Sequence, residues 1–211
     1  MIPELDVQVR TVELNSIGVA KSRNAAIDNA QSKYLLFADD DIEFVPEGVS
    51  KIIDYLEANP NISIALCQTV NEAGELRKNY PNKARRLKLR NSAKAATYEM
   101  FIRVEDIKRA GIRFDENFGA GVANYLGDEY IFIADALRSG LKGVFLPVVV
   151  AKHPALSSGS FQDSSIDRVA RGRVFQRVFG FWAPVARLLF LVKPPFRKLG
   201  LVNSILFIFG R

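Results

Sequence analysis

The sequence predicts an α/β protein in which a mostly parallel, Rossmann-like sheet carries helices on both faces. Short apolar runs alternate along the chain with segments whose apolar residues recur every three or four positions, which is the pattern of alternating strands and helices. One of these runs, YLLFA at residues 34–38, leads directly into three consecutive aspartates. Ligands of such folds collect at the carboxyl ends of the strands, so this position indicates a site as well as a fold.

The predicted elements of the first half follow this alternation. A strand over 7–14 precedes a helix over 18–31, and a second strand over 33–38 ends at the aspartates. Pro46 suits the first position of the next helix, and another strand begins at Ile62.

The second half continues the pattern. A strand and a short helix follow Tyr98, and a helix begins after Gly127, with Gly140 at the position of a left-handed C-terminal residue. The run KGVFLPVVVAK at 142–152 predicts the last strand.

The aspartates Asp39, Asp40 and Asp41 are the most informative residues of the chain. Strand alternation would send Asp39 and Asp41 to one side and Asp40 to the other. Clustered carboxylates repel each other, and a divalent ion held by one or two of them together with substrate phosphates relieves that repulsion. A solvated acidic turn after a strand is the alternative for the triplet alone.

The helix before the triplet begins with basic and polar residues. Lys21, Arg23 and Asn24 lie near its N-terminus, where backbone N–H groups and basic side chains can receive a phosphate. The alternative is that Arg23 is an ordinary solvated helix residue.

Together these features resemble glycosyltransferase family 2: a glycine, the segment AKSRN at 20–24, a helix, a strand and then Asp-x-Asp. The resemblance implies the nucleotide-sugar-binding GT-A fold and a divalent metal cofactor, Mg²⁺ or Mn²⁺. The residues that it assigns to nucleotide-sugar binding are Arg23, Asn24, Asp39 and Asp40, and those that it assigns to the metal include Asp39 and Asp41.

A second match to the family lies within residues 114–147. There a Gly-rich loop leads into Asp128 and Glu129 at the start of a predicted helix, where the family has a Glu-Asp pair in the opposite order. The resemblance implies an inverting transfer in which one acid takes the proton from the attacking acceptor hydroxyl. By position Glu129 aligns with that base, and Asp128 is the alternative. Acids in a first helical turn also gain from the helix dipole, which is the purely structural explanation.

His153 is the only histidine, and it follows the last predicted strand. Some GT-A enzymes use a histidine at this point as a third metal ligand, and VVVAKHP resembles that segment, so the resemblance adds His153 to the metal set. The alternative is a packing or surface histidine. The residues Ser157, Ser158 and Gly159 form a loop of the kind that closes over a donor.

Length and composition are those of a protein with one sizeable core. The chain has 211 residues, 48% of them apolar, and its single cysteine, Cys67, excludes an intrachain disulfide. We find no secretory signal before the first predicted strand, so we expect a cytoplasmic setting. No run reaches about 18 uninterrupted apolar residues, so a spanning helix is not predicted.

The net charge of +6 is concentrated in the C-terminal segment. Residues 168–211 contain nine Lys or Arg and no acid, which leaves residues 1–167 with 20 basic and 23 acidic side chains, a net of −3. Basic residues interleaved with large apolar ones predict a helical tail over 161–211 that lies on the inner face of the cell membrane, divided by its prolines into pieces too short to span.

Two alternatives accompany this interpretation of the basic residues. The tail could instead pack on the sheet as a helical layer, and its aliphatic content favours lipid over nucleic acid as the partner of its charge. A second basic segment, KARRLKLR at 83–90, is compatible with two interpretations: a solvated helix face, or a set of side chains that help to hold phosphates.

The resemblance lacks the beginning of the family's donor domain. Family members open with a strand, a helix and a second strand that bind the nucleotide base, whereas this sequence begins near the third strand. A GT-A-like domain over 1–160 shortened in this way would expose a sheet edge, so we expect either poor solubility of the chain alone or a partner protein or self-association that covers the edge.

The sequence therefore predicts a metal-dependent, inverting glycosyltransferase bound peripherally to the membrane. Its donor would be a nucleotide sugar, and its acceptor a glycan or a lipid-linked molecule in surface polysaccharide synthesis. The alternative is a catalytically inactive remnant that acts as a membrane- or partner-binding module. A nucleotidyltransferase is disfavoured, because no Gly-rich, Lys-containing phosphate loop occurs near the N-terminus.

Overall fold

The structure is a computed structural model, and it describes residues 10–154, 165–191 and 200–210. The helices of these residues are α1 (Val19–Asn29), α2 (Pro46–Ala58), α3 (Val104–Arg109), α4 (Asp128–Arg138), α5 (Ser165–Phe179), α6 (Ala183–Leu191) and α7 (Gly200–Phe209). The strands are β1 (Tyr34–Leu36), β2 (Glu43–Phe44), β3 (Ile64–Val70), β4 (Arg85–Arg86), β5 (Met100–Arg103) and β6 (Gly143–Lys152). Short 3₁₀ turns over Thr97–Glu99 and Gly180–Trp182 precede β5 and α6.

The strands form one mixed sheet in the order β1-β5-β3-β6-β2, with β4 also paired to β6. The pairing of β3 with β6 is parallel, and the other described pairings are antiparallel. The predicted α/β class is therefore confirmed, but the sheet is not mostly parallel. The reason is that β5 inserts between β1 and β3 in the opposite direction, while β2 and β4 return along β6. The strands β1, β3 and β6 still share one direction.

Helices cover both faces of the sheet, as predicted. Along β3, Ile64 and Leu66 join the apolar cluster beneath α1, α3 and α4, whereas Ala65 and Cys67 join the cluster beneath α2. All seven residues of β3 are buried, which is typical of a strand covered on both sides. Burial also raises the pKa of the Cys67 thiol well above its ordinary value, so this cysteine is inert.

The helix boundaries agree with the sequence signals. Pro46 is the first residue of α2, and Gly127 and Gly140 flank α4 with left-handed φ angles of +89° each. The first predicted strand, over 7–14, differs. Residues 10–14 form no strand: their backbone pairs with no strand among the described residues, and their side chains are exposed. Residues 7–9 lie outside the described residues. Within the described sheet β1 is an edge strand.

The helix α5 packs against α4. Its residues Val174 and Val178 are buried in one cluster with residues of α4, and Arg177 forms ion pairs with Asp115 and Asp135, each at 2.7 Å. This part of the predicted tail is thus attached to the rest of the fold by apolar and charged contacts. The predicted domain boundary at 160/161 lies outside the described residues and stays a prediction.

The helices α6 and α7 pack on α5 around Arg187, which is only 3% exposed. Its Nη2 donates to the Gly172 carbonyl oxygen at 2.6 Å and its Nη1 to that of Ile208 at 3.1 Å. Burial lowers the pKa of this guanidinium. Because a buried charge is costly unless it is hydrogen-bonded, these carbonyls hold the three helices around one cation.

The prediction that no tail segment reaches spanning length is wrong. The stretch Ile166–Leu191 continues for 26 residues through α5, the 3₁₀ turn and α6, and by length and composition it could cross a membrane. Pro184 does not interrupt it, because it lies in the first turn of α6, where a proline is tolerated. Of its most apolar 18 residues, 33% are buried inside the protein. Its N-terminal half, α5, packs on α4.

The packing of α2 on β6 depends on a helical glycine. A Cβ added to Gly48 would lie 1.9 Å from the carbonyl oxygen of Val149, a backbone atom that cannot move aside. We predict that Gly48→Ala lowers the free energy of unfolding by about 1–3 kcal/mol or more through overpacking, measured by urea denaturation. The matched control is Gly172→Ala in α5, where the nearest atom is 3.8 Å from the added Cβ. It should be neutral or stabilising by up to about 1 kcal/mol, and equal effects of both substitutions would contradict the packing described here.

Candidate active site

The shared direction of β1, β3 and β6 brings their carboxyl ends to one edge of the sheet. Asp39–Asp41 follow β1 and His153 follows β6, whose end is fixed to β3 because the His153 N–H donates to the Val70 carbonyl oxygen at 3.0 Å. The pairing of Glu43 with Lys152 brings the turn just before β2 beside His153. Two segments more than a hundred positions apart in sequence thus meet at this edge.

At this edge Asp39, Asp41 and His153 form one cluster. One possible ligand atom from each of the three residues lies within 4.8 Å of those of the other two, and His153 Nε2 is 3.6 Å from Asp41 Oδ1. The two aspartates are exposed, whereas His153 is buried. Asp40 is exposed in the same turn and is not part of the cluster. The triplet lies beyond the end of β1, so a turn rather than strand alternation separates Asp40 from its neighbours.

The hydrogen bond of His153 leaves its other ring nitrogen toward the aspartates. Its Nδ1 is 2.9 Å from the Pro154 carbonyl oxygen, which can only accept a hydrogen bond, so the proton lies on Nδ1. In that tautomer of the neutral ring, Nε2 carries the lone pair and is the nitrogen that faces Asp41. The three atoms are close enough together that Asp39, Asp41 and His153 would hold one divalent ion between them. The donor set therefore fits a divalent cation.

The acid pair lies at the start of α4. Asp128 and Glu129 are its first two residues, and Arg23 of α1 faces both of them. The Arg23 Nη1 forms an ion pair with Asp128 and is 3.5 Å from Glu129 Oε1, while its Nη2 donates to Thr97 Oγ1 at 2.8 Å. The guanidinium therefore compensates two adjacent carboxylates at once.

The two acids differ in their surroundings. The Asp128 side chain is 4% exposed, and Gly119 packs so closely on it that an added Cβ would lie 2.9 Å from the Asp128 Cγ. The Glu129 side chain is 21% exposed. Burial, and then the negative charge of Asp128, raise the pKa of Glu129 well above that of an ordinary glutamate, and Arg23 offsets this only in part.

Tyr98 connects the acid pair with the Asp-Asp-His cluster. Its ring packs on that of His153 with 4.9 Å between the centroids. Burial chiefly raises the pKa of Tyr98 to about 12, with smaller contributions from nearby acids that include Asp39 and Glu129. One residue thus responds to the charges of both groups. The preceding residue, Thr97, accepts the hydrogen bond from Arg23, so the two groups border a single region.

Asn24 has a positioning role in the structure. It is buried, its amide accepts from the Phe114 N–H at 2.8 Å, and it donates to the Phe114 carbonyl oxygen and to Glu116 Oε1. These bonds fix the segment that leads into the Gly-rich loop. Its predicted contact with the nucleotide sugar stays a prediction.

Sequence reasoning missed Thr97, Tyr98 and Gly119. The first two precede β5 without a motif, and nothing in the spacing indicates that β5 would return between β1 and β3 and bring them to the site. Gly119 lies in the Gly-rich loop that was recognised, but its contact with Asp128 depends on tertiary packing. The loop predicted at Ser157–Gly159 lies outside the described residues.

The family model for glycosyl transferase family 2 matches residues 2–115, more than half of the chain. The chain belongs to glycosyltransferase family 2. The matched region of this family 2 protein contains Arg23, Asn24 and the aspartates, and it ends before the acid pair and His153.

Similar proteins are found among known sequences and solved structures. An uncharacterized glycosyltransferase of Haemophilus influenzae is 42% identical over 59 residues, which is 26% of this chain and 20% of that protein. The structure of S. aureus TarS 1-349 in complex with UDP-GlcNAc is similar with a TM-score of 0.59 at 16% identity, over 98% of this chain and 63% of TarS. The complex of TarS 1-349 with UDP gives a TM-score of 0.53 at 16% identity, over 81% of this chain and 45% of TarS.

The similarity to TarS concerns the fold, and the chain spans only part of each of these relatives. At 16% identity the TarS structures show a common GT-A fold. The chain spans 20% of the curated relative and 45% to 63% of these TarS chains.

Proposed function

We propose that this glycosyltransferase moves a sugar, with inversion, from a nucleotide-diphosphate sugar to a hydroxyl group of a glycan or lipid-linked acceptor. The observation that carries the proposal is the meeting of two groups around Tyr98: the Asp39, Asp41 and His153 cluster, and the acid pair with Arg23. The UDP and UDP-GlcNAc in the TarS complexes support a nucleotide-sugar donor.

The chain's own residues would divide the reaction between them. The acceptor oxygen attacks the anomeric carbon, its proton passes to Glu129, and the bond to the donor diphosphate breaks with its electron pair on the leaving oxygen. Asp39, Asp41 and His153 would hold a Mg²⁺ or Mn²⁺ ion, which supplies positive charge to the leaving diphosphate. Asp40 and Arg23, as predicted from the family, would contact the donor.

Glu129 suits the role of base better than Asp128. Asp128 is occupied by Arg23 and enclosed by Gly119, whereas Glu129 is more exposed and has a raised pKa. A base whose pKa lies closer to neutrality accepts a proton more effectively in the transition state.

The tail supports attachment to a membrane surface. Large apolar side chains of the C-terminal helices are exposed, with Phe181 at 90%, Trp182 at 65% and Leu201 at 80%. Such side chains beside basic residues suit the interface of an anionic leaflet. We therefore propose a peripheral location on the cytoplasmic face of the membrane and an acceptor that belongs to surface polysaccharide synthesis.

The metal site can be tested with Asp41→Asn. We expect the intact chain to bind UDP or GDP in the presence of Mn²⁺ and to lose this binding in EDTA, measured by calorimetric titration. Asp41→Asn should weaken the Mn²⁺-dependent affinity roughly tenfold or more, since it removes a charged metal ligand. Asp54→Asn, an exposed aspartate of α2, is the control and should bind normally. Equal nucleotide affinity with and without Mn²⁺ would contradict the metal site, and no nucleotide binding by a folded chain would favour the inactive remnant.

The base can be tested with Glu129→Gln. The variant should keep donor binding and lose transfer by about 100- to 10,000-fold, measured as release of nucleoside diphosphate with acceptor present. Since ionisation of a carboxyl with a raised pKa opposes folding above its unfolded pKa, the substitution should not lower stability at neutral pH.

The pH profile of transfer tests the raised pKa of the proposed base, Glu129. Transfer by the wild type should rise with pH along a limb displaced above about pH 4.3, where an ordinary glutamate ionises, because the base must be deprotonated. If Asp128→Asn abolishes transfer while Glu129→Gln preserves it, the assignment of the base is wrong.

Membrane attachment can be followed through Trp182, the only tryptophan in the chain. Its fluorescence should shift to the blue when vesicles containing phosphatidylglycerol are added, since its exposed ring would enter an apolar environment. Replacing Leu189 and Leu201 with Ser should reduce the shift several-fold, because each buried apolar side chain contributes about 1.5–3 kcal/mol. The control replaces Leu76, exposed elsewhere on the protein, with Ser. An equal shift in all three proteins would contradict the proposed surface.

A further inference from the structure

A cavity of about 810 Å³ lies beside the candidate active site and is strongly basic. Its floor includes Leu66 of β3 and Phe145 of β6, and the segments before and after β4 form its walls. The basic residues that line it are Lys78, Arg85, Arg86, Lys88, Arg90 and Lys94. Four of them belong to the segment KARRLKLR, whose role the sequence alone leaves open.

The positive charge of the cavity is largely uncompensated within the described residues. Glu99 is the one acid of its lining, and it is already occupied: it accepts from Lys78 Nζ at 3.0 Å and from the Tyr80 hydroxyl. The other basic side chains of the lining form no ion pair among the residues that the structure describes. A concave wall of like charges concentrates anions from solution.

The basic segment is held in place by Asn91. The Asn91 Oδ1 accepts from the Lys88 N–H at 2.8 Å, its Nδ2 donates to the Arg86 carbonyl oxygen at 3.1 Å, and its own carbonyl oxygen accepts from Arg85 at 3.3 Å. The loop is thus closed by hydrogen bonds before any ligand binds. Such preorganisation lowers the cost of binding.

Two short connections join the cavity to the catalytic groups. Tyr98, which packs on His153, is followed directly by Glu99 of the cavity wall. On the other side, Glu129 is followed by Tyr130, whose hydroxyl donates to the Leu89 carbonyl oxygen at 2.7 Å, between two basic residues of the lining. A molecule anchored in the cavity would therefore lie beside the segments that carry the two groups, which supports its presenting another of its groups to Glu129.

We propose that this cavity is an acceptor subsite that binds the phosphate or diphosphate group of a phosphorylated acceptor. The inference rests on the proposed glycosyl transfer and names the chemistry of its second substrate. In the proposed function the donor diphosphate lies at the Asp-Asp-His cluster, so the cavity would serve a different anion. Phe190 of α6 also lines the cavity, so an apolar chain attached to the phosphate would find an apolar contact there.

The test is titration of inorganic pyrophosphate into the full chain in EDTA, which excludes binding through a metal. The pocket variant is Arg86→Gln with Arg90→Gln, and both side chains are exposed, so the fold should tolerate the change. The control is Lys51→Gln with Lys83→Gln, which removes the same charge from exposed positions outside the cavity. We expect the pocket variant to bind pyrophosphate at least about tenfold more weakly, and the control to bind like the wild type.

A second titration, of farnesyl diphosphate, identifies the source of the phosphate. Tighter binding than pyrophosphate would assign the subsite to a lipid-linked acceptor, and equal binding would assign it to a phosphate within a water-soluble acceptor. Either result supports the proposal if the pocket variant weakens both probes.

Three results would overturn the proposed phosphate-binding subsite. The first is that the wild type binds neither probe, and the second is that the control loses affinity as much as the pocket variant does. The third is that the pocket variant also loses Mn²⁺-dependent UDP binding, because the cavity would then belong to the donor site. A wild-type chain that binds pyrophosphate in EDTA but no nucleotide with Mn²⁺ would contradict the proposed function itself, and with it the acceptor role of the cavity.

Discussion

The contact of Arg23 with Asp128 and Glu129 is the interaction on which the candidate site depends. Two adjacent carboxylates at a largely buried helix start would repel each other and be expensive to desolvate without a cation. Arg23 supplies that cation from α1, and the next residue, Asn24, fixes the backbone at Phe114. One turn of α1 therefore determines both the charge balance of the acid pair and the path of the chain into the Gly-rich loop.

Strand direction makes the second half of the site. Because β1, β3 and β6 run the same way although β5 separates two of them, the residues that follow β1 and β6 emerge at the same edge. The short strand β2 then pairs with the end of β6 and holds the aspartate turn against His153. The cluster thus results from topology and register, and its three residues need no proximity in sequence.

The sequence was sufficient for features with local causes and insufficient for those that depend on packing. The start of α2 at Pro46 and that of α4 after Gly127 follow from local helix chemistry, and the observed boundaries agree. The antiparallel insertion of β5 has no local signal, because a short buried apolar run is compatible with either direction. For the same reason Tyr98 was not expected at the site. The predicted break of the tail at Pro184 does not occur, because the effect of a proline depends on where in a helix it falls.

Three basic residues of the tail are already engaged within the fold. Arg171 and Arg177 form ion pairs with acids of the fold, and Arg187 is enclosed by backbone carbonyls. These basic residues therefore stabilise the packing of the tail on the domain and contribute little charge to an anionic surface. Attachment to a membrane would rest on the exposed apolar side chains of α6 and α7 together with other basic residues of the tail. The cavity cations that form no ion pair among the described residues would receive an anionic ligand. A lipid-linked phosphate would use both surfaces at once, because Phe190 of α6 borders that cavity.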